Sequence, residues 1–357
     1  MIRKSVSSFL LLGHAVLLLV LYACCCSPSL NPEIHPRLSL LGLGFPVMFL
    51  LCLGAAVAWF FLFRRRRMLM GLLAMLPAVP SFLDYCPLHL LRSDAPAGSL
   101  KIISWNTHNY GGLKGEDGRT LAFDYLANSD ADIICIQEGD CGSSRVKDEF
   151  CVRMDSLGYE HSLEGGGLNV YSKLPILSSD TLVYSFETGH TRVYRLLYEG
   201  DTLYLINNHL ETSHLSAELR VEYKEAVRNP DSKQGGRTGK KMVYSLTESA
   251  RLRGAQTNCI CDYLDSLKRA GCSVILCGDF NETPISYPYR QINRRLKNAF
   301  AESGRGLGLS FNMKLFPVRI DHLFYSSDWQ SYQTFVDRSI AVSDHYPLVS
   351  WLKNVKK

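Results

Sequence analysis

At 357 residues and 46% hydrophobic, the chain is long enough to bury a sizeable core, and its composition excludes a disordered or low-complexity protein. Its net charge of +5 is carried entirely by the first 98 residues, with eight Lys+Arg against three Asp+Glu. The remainder is balanced at 31 of each, which weighs against an efficient binder of long nucleic acid without excluding a nuclease.

The N-terminal part is almost wholly apolar. Residues 5–23 and 39–63 each have the length and composition of a membrane-crossing helix. Residues 68–83 form a third, shorter candidate, with Pro77 and Pro80 in its second half. Arg3 and Lys4 precede the first segment and Arg64 to Arg67 fill the loop after the second, whereas the 27–38 loop carries only Arg37. Positive loops stay on the cytoplasmic side. Three crossings then place everything after about residue 95 on the outer, periplasmic or extracellular, side of the cytoplasmic membrane; if the third segment does not cross, the domain faces the cytoplasm. Leu21-Tyr22-Ala23-Cys24 looks like a lipoprotein cleavage site, but the second long segment that follows favours an uncleaved span. Cys24, Cys25 and Cys26 are then a membrane-edge feature open to acylation. The domain division is 1–95 and 96–357.

Seven cysteines lie in the second part, Cys135, Cys141, Cys151, Cys259, Cys261, Cys272 and Cys277, an odd number without framework spacing. Cys135 and Cys277 sit inside apolar strand-like runs and read as small core residues. Free thiols fit a reducing compartment slightly better than the outer side, and the membrane pattern outweighs them.

Strand-like and helix-like runs then alternate. Strands are expected at 101–105, 132–136, 168–171, 181–186, 192–198, 203–207, 273–276, 320–325 and 346–351, with a short helix at 120–128 and a helix-rich insertion at 216–265. Lys233, Arg237, Lys240 and Lys241 in that insertion read as a solvated loop. The mixture suits two packed sheets flanked by helices, with a site built from loops at one end.

Polar residues recur at the ends of the apolar strands. They are Asn106 in Trp-Asn-Thr-His-Asn, Glu138 in Ile-Gln-Glu, His209 in Asn-Asn-His-Leu-Glu-Thr, Asp279 and Asn281 in Cys-Gly-Asp-Phe-Asn-Glu-Thr-Pro, Asp321 in Arg-Ile-Asp-His, and Asp344-His345 in Ser-Asp-His-Tyr-Pro-Leu. An aspartate just past a buried strand can orient and deprotonate a water, and an asparagine two residues on can hold a phosphoryl oxygen without adding charge. Singly, each has a structural explanation, such as an Asx-turn for Asp279-Phe280-Asn281 or a satisfied core histidine for His209. Arg192, Arg251, Arg253 and Arg319 are candidate phosphate contacts, since guanidinium groups grip phosphate bidentately, although surface ion pairing explains each equally well.

In order and context these motifs resemble the endonuclease/exonuclease/phosphatase superfamily, over about residues 101–352. That group holds pancreatic-type deoxyribonucleases, abasic-site endonucleases, inositol polyphosphate 5-phosphatases and bacterial sphingomyelinases. The resemblance implies a four-layered α/β sandwich and a magnesium or manganese ion. It assigns Glu138 as principal metal ligand, Asn106 as its supporting amide and Asp344 as a further metal or site-supporting carboxylate. Asp279 corresponds to the aspartate that orients the attacking water, and Asn281 to the phosphate grip. His345 corresponds to the phosphate-contacting histidine, Asp321 to its carboxylate partner and His209 to the residue beside the leaving oxygen. The implied activity is hydrolysis of a phosphate ester, of nuclease type or on lipid head groups; a catalytically silent binding module is the remaining alternative.

Overall fold

The computed structural model describes residues 2–62, 64–90, 93–140, 145–163, 166–184, 189–213, 221–222, 225, 233–312 and 317–356. The far end of the 181–186 strand, the start of the 216–265 insertion, Cys141 and the side chains of Arg3, Lys4 and Lys233 lie outside them. Two compact units result. One comprises Met1–Tyr85, Ser213–Gly254 and Thr283–Arg290, the other Cys86–Thr212, Ala255–Glu282 and Gln291–Lys357. This grouping interleaves segments that a single division near residue 95 would separate.

The first unit contains α1 (Ile2–Cys26), α2 (Phe45–Phe61), α3 (Arg65–Ala74) and α4 (Val79–Tyr85). The stretches Ser7–Ser29, Pro36–Phe61 and Arg65–Tyr85 are long and apolar enough to cross a membrane. The third is a broken helix, because Pro77 cannot continue the hydrogen-bonding of α3 and a tight turn at Leu76–Ala78 joins it to α4. Small residues and one polar side chain set the helix contacts. A Cβ at Gly71 would fall 2.6 Å from His14 Cε1, so only glycine admits this approach. His14 Nδ1 in turn accepts a bond from Trp59 Nε1 at 3.2 Å. Ile285, from the short Thr283–Arg290 segment, is buried in one apolar cluster with Leu21, Cys24, Phe45, Cys52, Met75 and Ala78. Gly42 meets its backbone so closely that a Cβ there would lie 1.9 Å from Ile285 O.

The second unit is built on two six-stranded sheets. Strands β1 (Leu100–Asn106), β2 (Ile133–Gln137), β3 (Glu160–Leu163) and β4 (Asn169–Ser172) join β11 (Trp329–Val336) and β12 (Leu348–Asn354) in the order β11-β12-β1-β2-β4-β3. Strands β5 (Ile176–Thr181), β6 (His190–Tyr198), β7 (Asp201–His209), β8 (Ser273–Asp279), β9 (Lys297–Asn298) and β10 (Asp321–Tyr325) form the other, in the order β5-β6-β7-β8-β10-β9. The two-residue period of the strands sorts the side chains between layers. Ile102, Ile133, Cys135, Leu205, Ile275, Cys277 and Leu323 share a core drawn from both sheets. Ile103, Trp105, Ile134 and Ile136 pack instead with Phe123 and Leu126 of α5 (Gly115–Ala127) and with Phe150 and Met154 of α6 (Arg145–Ser156). The fold is the expected α/β sandwich, and Cys135 and Cys277 are core residues. The insertion contains α7 (Lys233–Arg269), whose Ile260, Leu264 and Leu267 recur at helical spacing and are buried.

Candidate active site

Strand register assembles the catalytic candidates. β7 and β8 run parallel with His209 opposite Asp279, and β8 and β10 run antiparallel with Asp279 opposite Asp321. Three strand ends thus put one imidazole and two carboxylates side by side. Gly278 makes this possible: its φ is 138°, and a Cβ there would lie 1.9 Å from Asn208 O on the neighbouring strand. In the other sheet, β1 and β2 run parallel with Asn106 opposite Gln137, so Asn106 and Glu138 leave the sheet together.

Asn106 ties the two sheets' contributions to one another. Its Nδ2 donates to Glu138 Oε1 and to Asp279 Oδ2, each at 3.0 Å. Asp279 is 1% exposed, and its Oδ1 accepts from the backbone N–H of Asn281 at 2.8 Å. Asn281 Nδ2 donates to Leu210 O at 3.2 Å, which leaves its second N–H for another acceptor. His345 is 4% exposed and is held by a bond from Trp105 Nε1 to its carbonyl at 3.0 Å. Its Nδ1 lies 2.8 Å from Asp321 Oδ2 and its Nε2 3.6 Å from Asp279 Oδ2. His209 Nε2 stands 3.5 Å from Glu138 Oε1 and 3.7 Å from Asp279 Oδ2.

The electrostatics follow from burial and these pairs. Burial disfavours charge on His345, but the Asp321 and Asp279 carboxylates outweigh it and push its pKa up to about 10. Burial likewise opposes ionisation of Glu138, yet hydrogen bonds from His108 and Asn106, with the positive charge of His209, hold it down to about 2. Burial raises the pKa of Asp279, an effect opposed by His345 and His209. Asp279, Asp321 and His345 bring donor atoms within 4.8 Å of one another. The imidazole already bridges those two carboxylates, so this trio is better described as a charged catalytic pair than as an open cage. Glu138 and Asp344 are each about a third exposed and offer oxygen donors, a set that suits a hard divalent cation completed by water.

His108 joins the site although chain order did not single it out. Its Nδ1 lies 3.2 Å from Glu138 Oε2 and 3.9 Å from Asp344 Oδ1, and the signal for it was its place two residues after Asn106. The buried amides Gln137, Asn169 and Asn207 were also missed. Gln137 Nε2 donates to Asn207 Oδ1 at 2.6 Å, and Asn207 Nδ2 to Ile136 O at 3.0 Å, bracing β2 against β7 behind the site. His108, Glu138 and Asn281 have left-handed backbones, with φ of 44°, 51° and 51°. Each costs roughly 1–2 kcal/mol in a non-glycine residue, a burden that site residues carry more often than others.

The candidate arginines do not form a group. Arg319 is corrected from phosphate contact to buried brace: it is 1% exposed, its Nη1 donates to Leu307 O at 3.1 Å and its guanidinium lies 4.2 Å from the Phe300 ring centroid. Arg253 is 2% exposed, and Arg251 pairs with Glu248 one turn away at 3.3 Å; both belong to the first unit. Arg192 lies on β6 opposite Asn207.

Comparison with known proteins gives the fold its family. The human Nocturnin catalytic domain with bound sulfate superposes with a TM-score of 0.53 at 16% identity, covering 74% of this chain and 97% of that one. An endonuclease/exonuclease/phosphatase from Beutenbergia cavernae DSM 12333 gives 0.50 at 15% identity, covering 72% of each chain. No curated protein matches the sequence significantly. Residues 7–85 match a domain family of unknown function. Residues 103–345 match the Endonuclease/Exonuclease/phosphatase family, and with this site and sandwich the chain belongs to that family of phosphoric ester hydrolases.

Proposed function

We propose that the protein is a membrane-anchored, divalent-metal-dependent phosphoesterase that cleaves phosphodiester or phosphomonoester bonds by in-line attack of water, with nuclease-type substrates as the primary reading. The observation that carries it is the convergence of Asp279, His209, His345 and Glu138 within hydrogen-bonding or ion-pairing reach around the Asn106 amide.

Asp279 serves as the base. Its carboxylate is fixed by Asn106 and by the Asn281 N–H, and burial makes it more basic than an exposed aspartate. His345, kept protonated by Asp321, stabilises charge growing on a phosphate oxygen. The free N–H of Asn281 grips a second phosphate oxygen. His209 stands where an imidazolium can protonate the leaving alkoxide. Glu138, Asp344 and the neighbouring amide would hold magnesium or manganese, which supplies charge neutralisation of phosphate and leaving group when bound.

The three apolar stretches support a multi-pass anchor in the cytoplasmic membrane, and the Arg64–Arg67 loop favours a catalytic unit on the outer side. A second substrate reading, hydrolysis of lipid head groups, is favoured by one observation. Ile285 packs among the apolar helices and is four residues, at most about 14 Å of extended chain, from Asn281. Salt separates the two: cleavage of a polyanion should weaken steeply between 50 and 200 mM salt, roughly 10³-fold or more for six phosphate contacts, and cleavage of a neutral lipid should not. The test of the proposal is turnover by the full chain in detergent, with magnesium or manganese and with chelator, on plasmid DNA, RNA, sphingomyelin, phosphatidylinositol and small phosphodiesters. Turnover that persists in chelator, or in Asp279→Asn, contradicts it.

A further inference from the structure

His108 sits where its imidazole can do more than pair with a carboxylate. Its Nδ1 is 3.2 Å from Glu138 Oε2 and 3.9 Å from Asp344 Oδ1. Neighbouring donors on a small octahedral cation, each about 2.1 Å from the ion, stand about 3 Å apart, so these spacings are near those of ligands sharing one ion. The three side chains come from three separate places: the turn after β1, the end of β2 and the segment before β12. The turn that presents His108 is preset. Residues 108, 109 and 110 have φ of 44°, 58° and 56° in succession. That conformation is fixed by bonds from His108 N to Asn106 Oδ1 at 3.2 Å, from Asn109 N to Glu138 O at 2.7 Å and from Tyr110 N to Thr107 Oγ1 at 3.1 Å. A surface ion pair forms with flexible side chains and needs no such backbone. The His108 side chain is also 36% exposed, so core packing does not account for its placement.

We propose that His108 supplies an imidazole nitrogen to the divalent cation held by Glu138 and Asp344, and that the site therefore prefers an ion of the manganese-to-zinc series over magnesium. This rests on the metal-dependent reading of the site given above and narrows it. Magnesium takes oxygen donors almost exclusively and keeps its waters, whereas affinity for imidazole nitrogen rises along the first-row divalent series. A nitrogen in place of a third oxygen thus costs magnesium more than manganese.

The probe is manganese, whose unpaired electrons report directly bound nitrogen. The full chain in detergent, stripped with chelator, would be titrated calorimetrically with Mn²⁺ and with Mg²⁺, and the Mn²⁺ complex examined by pulsed electron paramagnetic resonance. Two variants accompany it, His108→Ala and His108→Asp; aspartate tolerates the left-handed backbone and restores an oxygen donor. The proposal expects a ¹⁴N coupling in the wild type that is absent from both variants, and a fall on the order of tenfold in the Mn²⁺/Mg²⁺ affinity ratio in His108→Asp. A ¹⁴N coupling that survives in His108→Ala would come from another imidazole and overturns it, as does an unchanged affinity ratio. Failure of the wild type to bind either ion overturns the metal-dependent reading as well. Metal-dependent hydrolysis with an unchanged ratio removes only the role of His108.

Discussion

At the scale of single residues, Asp279, His345 and Glu138 divide the work by environment. Removing one transition-state contact typically costs on the order of 10² to 10³ in rate. Asp279→Asn and His345→Ala are therefore expected to lose at least about 10²-fold in kcat while melting near the wild-type temperature; full activity in either would contradict their roles. The pKa shifts give signs for pH as well. A base must be ionised, so kcat/KM is expected to fall on the acid side as Asp279 protonates, above the ordinary carboxylate value of 3.8, while Glu138 stays charged to about pH 2. A pH–rate profile checks this, and an acid limb near 2 would point to Glu138 instead. His345 has the opposite sign. Its pKa is raised from 6.5 to about 10, so the stability contributed by its pairing with Asp321 and Asp279 is complete below 6.5 and lost as pH rises through about 10. Melting curves from pH 6 to 10 should show a decline in the wild type that His345→Gln lacks.

At the scale of elements, strand ends carry the site, and they are also what a single sequence displays best. Asn106, Glu138, His209 and Asp279 each close a continuous apolar run, so both the strand and its polar terminus were legible. Less of the sheet margins could be read. Glu160–Leu163 is a short, polar strand without alternation, and Ile176–Thr181 lies earlier than the 181–186 run suggests because its mostly polar, half-exposed residues give little hydrophobic signal. His108 was missed because its importance comes from the left-handed turn, which nothing in Thr-His-Asn-Tyr announces. The arginines misled for a related reason: residue type says that Arg319 can grip phosphate, and only packing shows it lying buried against Phe300. Two element-scale substitutions follow. Gly278→Ala forces a Cβ against Asn208 O and should separate β7 from β8, lowering stability by at least roughly 1–3 kcal/mol and activity with it. Asn207→Ala strands the Gln137 amide and should cost about 1–3 kcal/mol in chemical denaturation, with activity retained if β2 and β7 keep their places.

At the scale of the whole molecule, the membrane region and the catalytic chain are interleaved rather than strung in tandem. Ile285 is covered by Leu21, Phe45, Met75 and their neighbours. A fragment beginning near Ser93 loses that cover, leaving a fully buried isoleucine in water at roughly 1.5–3 kcal/mol. Such a fragment is expected to melt lower and self-associate more than Ile285→Ser in the same fragment; equal behaviour would mean that Ile285 is indifferent to the helices. Sidedness is separable from folding. A reporter fused after Leu352 should show activity characteristic of the outer side, and a cytoplasmic signal would contradict three crossings.

The most direct single measurement is hydrolysis of a small chromogenic phosphodiester by the detergent-solubilised full chain, with manganese, with magnesium and with excess chelator, for wild type and Asp279→Asn side by side. Metal-dependent turnover that falls by at least about 10² in the variant is the predicted result. Equal turnover in wild type and Asp279→Asn, or turnover indifferent to chelator, would contradict a metal-dependent hydrolase with Asp279 as its base.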